Sequence, residues 1–323
     1  MAKNNNLHTA RNNKNDEFYT MLSDIEKEMR YYKDFFKDKV VYCNCDDARE
    51  SNFFKYFSMN FEHLGLKKLI TTGFKADGKG VVLVYEGDKN GNRVVDDEEI
   101  TVTELQGDGD FRSEECIEYL KQADVVVTNP PFSLFRQYVA QLMEYGKKFI
   151  IIGNKNAISY KEIFPYIKNN QLWLGVSITS GDREFLIPND YVTHSPSLHF
   201  DEKGNKYLRV PGVCWFTNVD NKSRFEPLDL YKRYSFEDYH KYDNYDAIEV
   251  GTTAEIPMDY DGVMGVPITF LFKYCPTQFE IIDINPHFFS MVEKGLPKPK
   301  QLSLKSYGKK DPYARILIKK IQQ

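Results

Sequence analysis

The stretch Thr128-Asn129-Pro130-Pro131-Phe132 holds the residue types best suited to chemistry in this chain. It offers a carboxamide oxygen, a backbone carbonyl between two prolines, and an aromatic face. Such a set suits a flat substrate that bears an amine. An aromatic exocyclic amine is a poor nucleophile because its lone pair is delocalised into the ring. Two acceptors on its hydrogens, the Asn129 side-chain oxygen and the Pro130 carbonyl, draw it toward a tetrahedral, nucleophilic shape. Pro130 and Pro131 fix φ and stiffen the loop. Phe132 can stack on the ring face for roughly 1–3 kcal/mol. If the electrophile is a sulfonium methyl, no general base is needed before attack, since the amine loses its proton afterwards. Catalysis then rests on positioning and electrostatic complementarity. The expected reaction is methyl transfer to an amino group. Asn-Pro also marks ordinary turns, so the expectation depends on a strand before the motif and a helix after it.

The surrounding pattern supplies both. Val125-Val126-Val127 reads as a buried strand, and a helix is predicted over 133–145, stopped by Gly146. Upstream, Asp16 to about Phe36 reads as a helix with Phe18, Leu22, Ile25, Met29 and Tyr32 on one stripe. Lys39–Cys43 reads as a strand, Phe53–His63 as a helix and Lys67–Thr72 as a strand. Val81–Tyr85 and Arg93–Val95 suggest a hairpin across Asp88–Asn92. Ser113 is placed to cap a helix ending near Gln122, and Lys148–Ile152 reads as another buried strand. Alternating strand and helix over 37–152 predicts an α/β, Rossmann-like fold, a mostly parallel twisted sheet with helices on both faces. Such sheets bind ligands at the carboxyl ends of their strands. Later, 171–177 and 184–187 read as strands, and 206–218 as a hairpin turning at Pro211-Gly212. A shift to Tyr, Asp, Lys and Pro near residue 225 suggests a boundary, with a catalytic domain over 1–225 and a second region over 226–323.

Two further clusters follow strands or precede helices and fit bound S-adenosylmethionine. Asp110 can accept from an adenine amino group while Phe111 covers the ring, although an acidic loop capping the next helix would look the same. The turn after Cys43, with Cys45 and Asp46, can bring backbone N–H groups to the amino-acid end of the cofactor. That turn has no glycine, and the small polar residues Ser51 and Asn52 are candidates to stand in. Phe18-Tyr19-Thr20 precedes the first strand and is placed to close over the cofactor, or else simply begins an amphipathic helix.

Composition bounds the class. The 323 residues are 41% hydrophobic and 28% charged, which marks a globular chain with ample core. No apolar run approaches the roughly 18 residues of a membrane span. The start, MAKNNNLHTARNNKND, is polar, and the five scattered cysteines suit a reducing cytoplasm without disulfides or structural zinc. Net charge is only −4, but its distribution is uneven. Residues 294–323 carry eight Lys and one Arg against Asp311 alone, while 86–118 hold twelve acids against three basic residues. Basic ends on a chain of modest charge can still present a phosphate-binding face, or be ordinary solvated tails.

The segments DEFYT, VVYCNCDD, SNFFKYF, LGLKKLI, VVTNPPFSLFR, GDREF, GVCWFTN and GVMGVPITF together resemble the EcoRI-type adenine-specific DNA methyltransferase family, over about residues 15–318. The resemblance implies methyl transfer from S-adenosylmethionine to adenine N6 in duplex DNA, with the target base flipped out and no metal. It implies that Asn129, Pro130 and Phe132 hold the adenine, and that Asp110, Phe111, Asp46 and Phe18–Thr20 hold the cofactor. It also implies a restriction-modification, phage-borne or solitary context, with GAATTC or a related site as target. The usual glycine-rich cofactor loop is replaced here by DDARESN, and the acid expected after the second strand is missing, since Lys67–Phe74 offers only Thr71 and Thr72. Arg183 and the lysine-rich C-terminus are the candidate DNA contacts, and a monomer is expected. The rival readings are an RNA adenine or protein glutamine methyltransferase, which would not need so large a second half, and a non-catalytic DNA-binding module, which an intact TNPPF argues against.

Overall fold

Valine- and isoleucine-rich runs build the centre of the larger sheet. The computed structural model describes residues 19–45, 47–75, 78–187 and 195–322. The chain divides into two compact units, Met1–Ala157 with Gly175–Val219, and Ile158–Leu174 with Asp220–Gln323. In the first unit lie strands β1 (Tyr19–Thr20), β2 (Val40–Cys43), β3 (Lys68–Gly73), β4 (Val81–Tyr85), β5 (Ile100–Glu104), β6 (Val125–Thr128) and β7 (Lys148–Asn154). Helices α1 (Leu22–Met29), α2 (Asn52–Met59), α3 (Phe61–Leu64), α4 (Glu114–Gln122) and α5 (Phe135–Glu144) lie among them. After α6 (Phe164–Lys168) and β8 (Trp173–Leu174) of the second unit, the chain returns for β9 (Asp182–Ile187), β10 (Leu198–Phe200), β11 (Lys206–Pro211) and β12 (Val213–Thr217).

Seven strands of the first unit pair in the order β5-β4-β3-β2-β6-β7-β12. The middle four are parallel, and β4, β5 and β12 run antiparallel to their neighbours. The sheet is therefore mixed, with a Rossmann-like parallel centre. Every residue of β2 and β6 is buried, which is why they read as continuous apolar runs rather than alternating ones. From β2 the chain crosses through α2 to β3, and from β6 through α5 to β7 on the other side. Right-handed crossovers running in opposite directions place α2 and α5 on opposite faces. The strand order thus reverses between β2 and β6, the position where such sheets form a ligand crevice. Beside the sheet, Ile25, Met29, Phe36, Phe53, Phe57 and Trp215 join one buried cluster. Phe36 meets Phe57 edge-on at 5.1 Å and Phe53 meets Trp215 at 6.3 Å. Each such buried ring contributes about 2 kcal/mol of apolar burial.

Several local expectations change. In place of one helix over 16–36, the described part holds β1, then α1, then a 3₁₀ turn at Lys33–Phe36, because Tyr19 and Thr20 pair with β9. The partner of β4 is β5, not 93–95. Asp88 accepts from the Gly91 N–H at 2.6 Å and the Arg93 N–H at 2.7 Å, so this turn folds on its own carboxylate instead of a neighbouring strand. Residues 206–217 are not a hairpin. β11 pairs with β9 in a small sheet ordered β1-β9-β11-β10, whereas β12 pairs with β7 in the large one. Gly212, at φ +73°, makes that change of sheet possible. Of the strand expected over 171–177 only Trp173–Leu174 is extended, and the N–H groups of Val176 and Ser177 go to the Glu28 carboxylate. The helix after the 128–132 motif starts as a 3₁₀ turn, Phe132–Leu134, before α5.

The second unit holds a sheet ordered β13-β14-β16-β15, with β13 (Ile248–Glu249), β14 (Met264–Pro267), β15 (Phe279–Asn285) and β16 (Arg315–Lys320), and helix α7 (Phe289–Glu293). Its own core contains Tyr242, Ala247, Phe288, Leu302, Leu304 and Leu317. Buried Asp283 accepts from the N–H groups of Ser290 and Met291 at the start of α7, and burial pushes its carboxyl above the ordinary range. Among the described residues no helix is long and apolar enough to cross a membrane.

Candidate active site

The motif sits where the strand order reverses. Val41 lies opposite Val125 and Tyr42 opposite Val126, so the loops that follow β2 and β6 leave the sheet side by side. Asn44, the first residue after β2, joins them. Its carbonyl accepts from the Thr128 hydroxyl at the end of β6, and its side-chain oxygen accepts from the Tyr138 hydroxyl on α5. All three are buried, and burial pushes the Tyr138 phenol well above its usual range, so it stays a donor at any working pH. Asn129 is 5% exposed and Pro130 buried, while Pro131 and Phe132 are half-buried. The aromatic face is therefore open where the amide is enclosed.

The loop after β2 solves its glycine problem with Cys45, which is held at φ +74°. Asp47 then accepts from the N–H groups of Arg49 and Glu50 at 2.9 and 3.0 Å, and buried Ser51 caps α2 by accepting from the Phe53 N–H. A β-branched side chain is a genuine outlier in the left-handed region, whereas asparagine tolerates it. Cys45→Val is expected to lower stability by about 1–3 kcal/mol, and Cys45→Asn by much less, as read from chemical denaturation. Equal losses in both would mean that the thiol's packing, not the backbone, sets the cost.

Asp110 and Phe111 lie close to the same node. The Phe111 ring is buried and meets Tyr138 edge-on at 4.9 Å, and its carbonyl accepts from Gln141 on α5. Asp110 is gripped by the Arg112 fork, Nε to Oδ1 at 2.9 Å and Nη2 to Oδ2 at 2.5 Å. This orients the carboxylate, whose Oδ1 also accepts from the Arg112 N–H at 2.8 Å. Within β3, Thr71 lies opposite Cys43, and its buried hydroxyl has no hydrogen-bond partner among the described residues.

From the other side comes the small sheet. Thr20 pairs with Phe185, and the Asn52 amide donates to the Thr20 carbonyl at 2.8 Å. Phe185, from the GDREF segment, meets Phe132 edge-on at 6.4 Å. Contacts thus run from Phe111 through Tyr138 and Asn44 to Thr128, and from Phe132 through Phe185 and Thr20 to Asn52. Phe18 and Asp46 lie outside the described residues, and of Tyr19 only the backbone is described. The Arg183 guanidinium donates to the nearby carbonyls of Ser180 and Asp182.

The family described as "Adenine-specific methyltransferase EcoRI" matches residues 6–321. The chain belongs to this family. It is 49% identical to the Type II methyltransferase M.EcoRI of Escherichia coli, over 98% of this chain and 97% of that protein. It is 39% identical to the Type II methyltransferase M.MpnI of Mycoplasma pneumoniae, over 97% of each chain.

For this adenine-specific methyltransferase, four residues at the node escaped the sequence reading: Asn44, Tyr138, Arg112 and Phe185. Arg112, next to an acid that needs orienting, is the one with a local signal. Tyr138 looks like any aromatic on a helix stripe. Asn44 and Phe185 take their places only through pairings of distant strands.

Proposed function

We propose that this chain transfers a methyl group from S-adenosylmethionine to N6 of a specific adenine in duplex DNA. The observation that carries the proposal is the emergence of the Asn129 loop at the reversal of strand order, tied by Asn44 to the loop after β2. The residues there fit the cofactor. A left-handed turn at Cys45 brings backbone close, Thr71 offers a buried hydroxyl without a partner among the described residues, and Asp110 and Phe111 form an oriented acid–aromatic pair. S-adenosylmethionine, when bound, supplies an electrophilic methyl on a sulfonium. Asp110 would accept from the adenine amine and Phe111 would cover its ring, with Thr20, Ser51 and Asn52 shaping the rim and Asp46, Phe18 and Tyr19 as the remaining candidates.

Asn129 and the Pro130 carbonyl accept the two hydrogens of the target amine and turn its lone pair out of the ring plane. Phe132, braced by Phe185, stacks on the base. Enclosure of Asn129 keeps water from competing for its oxygen. The target amine lies inside the duplex stack, so the base is flipped out at a cost of a few kcal/mol. We assign that work and the reading of sequence mainly to the second unit. The enzyme is read as a monomer acting in the cytoplasm.

The test is mapping of methylated adenines, by long-read sequencing, in DNA from cells expressing the chain. N6-methyladenine at one short site, with GAATTC and its relatives examined first, is the expected result. DNA free of N6-methyladenine would overturn the proposal.

A further inference from the structure

The second unit contains a cavity of about 510 Å³ whose walls carry five cations and three carboxylates. The carboxylates are already engaged. Glu249 takes a fork from Arg315, with Nε to Oε1 at 3.0 Å and Nη2 to Oε1 at 2.5 Å, and also accepts from the Tyr242 hydroxyl. Glu255 accepts from the Thr252 N–H at 2.9 Å, and Asp238 from the Ser235 hydroxyl at 2.6 Å. Arg315 is thereby neutralised, and Arg233 has Asp259 at 3.6 Å. Lys232, Lys309 and Lys310 face the cavity with no ion pair recorded among the described residues. Asp238 and Glu255 keep their charge, since their donors are neutral, so these three lysines against two carboxylates leave the hollow one positive charge in excess for something from outside.

The backbone holds the lysines there. Gly308, at φ +65°, ends the 3₁₀ turn Lys305–Tyr307, and the Lys309 N–H returns to the Leu304 carbonyl, which sets the two lysines at the rim. Lys232 is fixed by a bridge to Pro257 and by its carbonyl, which accepts from the Met258 N–H. The floor is firm: Leu304 and Tyr239 are buried, and the Tyr239 hydroxyl donates to the Glu255 carbonyl. Next in sequence to wall residues stand Tyr231 and Tyr313, 77% and 85% exposed. Unpaired cations interleaved with exposed aromatics are what a nucleic-acid backbone meets on a protein that binds it. Three other C-terminal lysines are engaged elsewhere. Lys298 donates to the carbonyls of Pro286 and His287, Lys320 to that of Met258, and Lys305 lies 4.0 Å from Asp311.

We propose that this cavity binds a backbone phosphodiester of the DNA substrate, with Lys309, Lys310 and Lys232 as its ligands. The proposal rests on the DNA-methylation reading above. Lysine–phosphate contacts release condensed counterions, so each lost contact makes the plot of log affinity against log salt shallower by about 0.9. The experiment measures binding of the full chain to a methylatable duplex by fluorescence anisotropy, across a salt series, for wild type, Lys309→Gln/Lys310→Gln and Lys309→Arg/Lys310→Arg. The glutamine pair is expected to reduce the slope by about one, the value for a single phosphodiester, and to bind several-fold more weakly at moderate salt. The arginine pair should keep the wild-type slope, which separates loss of charge from loss of fold. An unchanged slope in the glutamine pair would overturn the proposal. So would calorimetric binding of pyrophosphate that the glutamine pair loses while its DNA slope stays the same, because the cavity would then serve a free anion. Failure of the wild type to bind duplex at all would instead sink the parent reading.

Discussion

Asn129→Ala is expected to reduce the methylation rate at saturating substrates by on the order of 100–1,000-fold or more, with DNA affinity close to wild type. In the proposed mechanism the side chain contributes one acceptor to an amine that must change shape before it can attack. Alanine leaves that hydrogen to water or to nothing, inside a loop where Asn129 is 5% exposed. Affinity should survive because phosphate contacts carry most of the binding free energy of such complexes. Asn129→Asp keeps an acceptor at the same place and should lose less than alanine does. The loop Thr128–Phe132 contains no titratable side chain, so the rate at saturation should show no ionisation belonging to it near neutral pH. Single-turnover rates for the variants, alongside anisotropy for DNA binding, check both points. Near-normal turnover in Asn129→Ala would remove the amide from the mechanism and leave the Pro130 carbonyl alone.

What could be read ahead of the structure follows from how local each signal is. β2, β6 and β7 are buried over nearly their whole length, so they stand out as apolar runs. The Ser113 cap was legible because capping is a three-residue matter, and its hydroxyl does accept from the Cys116 N–H at 3.2 Å. The motif at 128–132 was legible for the same reason. β1 was not, because two residues at 19–20 gain their partners about 165 positions away, at 185 and 186. Nor was the parting of β11 from β12, since a Pro-Gly pair signals a turn but not that its two arms join different sheets. The glycine-free loop after β2 falls between these cases. Its lack of glycine was plain, but that a cysteine takes the left-handed position depends on tertiary bonds around Asn44.

Glu28 shows the same limit with a large energetic consequence. On an amphipathic helix it reads as a solvated acid, yet it is fully buried. Its carboxylate accepts from the Tyr32 hydroxyl at 3.0 Å, the Val176 N–H at 3.0 Å and the Ser177 N–H at 2.7 Å. Glu28→Ala would take the acceptor from the part-buried Val176 and Ser177 N–H groups and one bond from the buried Tyr32 hydroxyl, at about 1–3 kcal/mol each. We expect unfolding free energy to fall by about 3–5 kcal/mol. Gly175 is the other half of the device. A Cβ there would lie 2.3 Å from Glu28 Oε1 and 2.5 Å from Trp215 Cβ. Trp215 is fully buried against Phe53 of α2 and cannot yield, so Gly175→Ala must push the carboxylate off its donors. The two substitutions therefore damage one interaction twice. A double-mutant cycle by chemical denaturation should find the pair less destabilising than the sum of the singles by 1 kcal/mol or more, about the upper half of the range seen for contacting residues. Strict additivity would mean that the alanine clashes with Trp215 alone. If the coupling holds, a carboxylate remote in sequence from Asn129 governs the helix α2 whose first residue, Asn52, holds Thr20 beside the site.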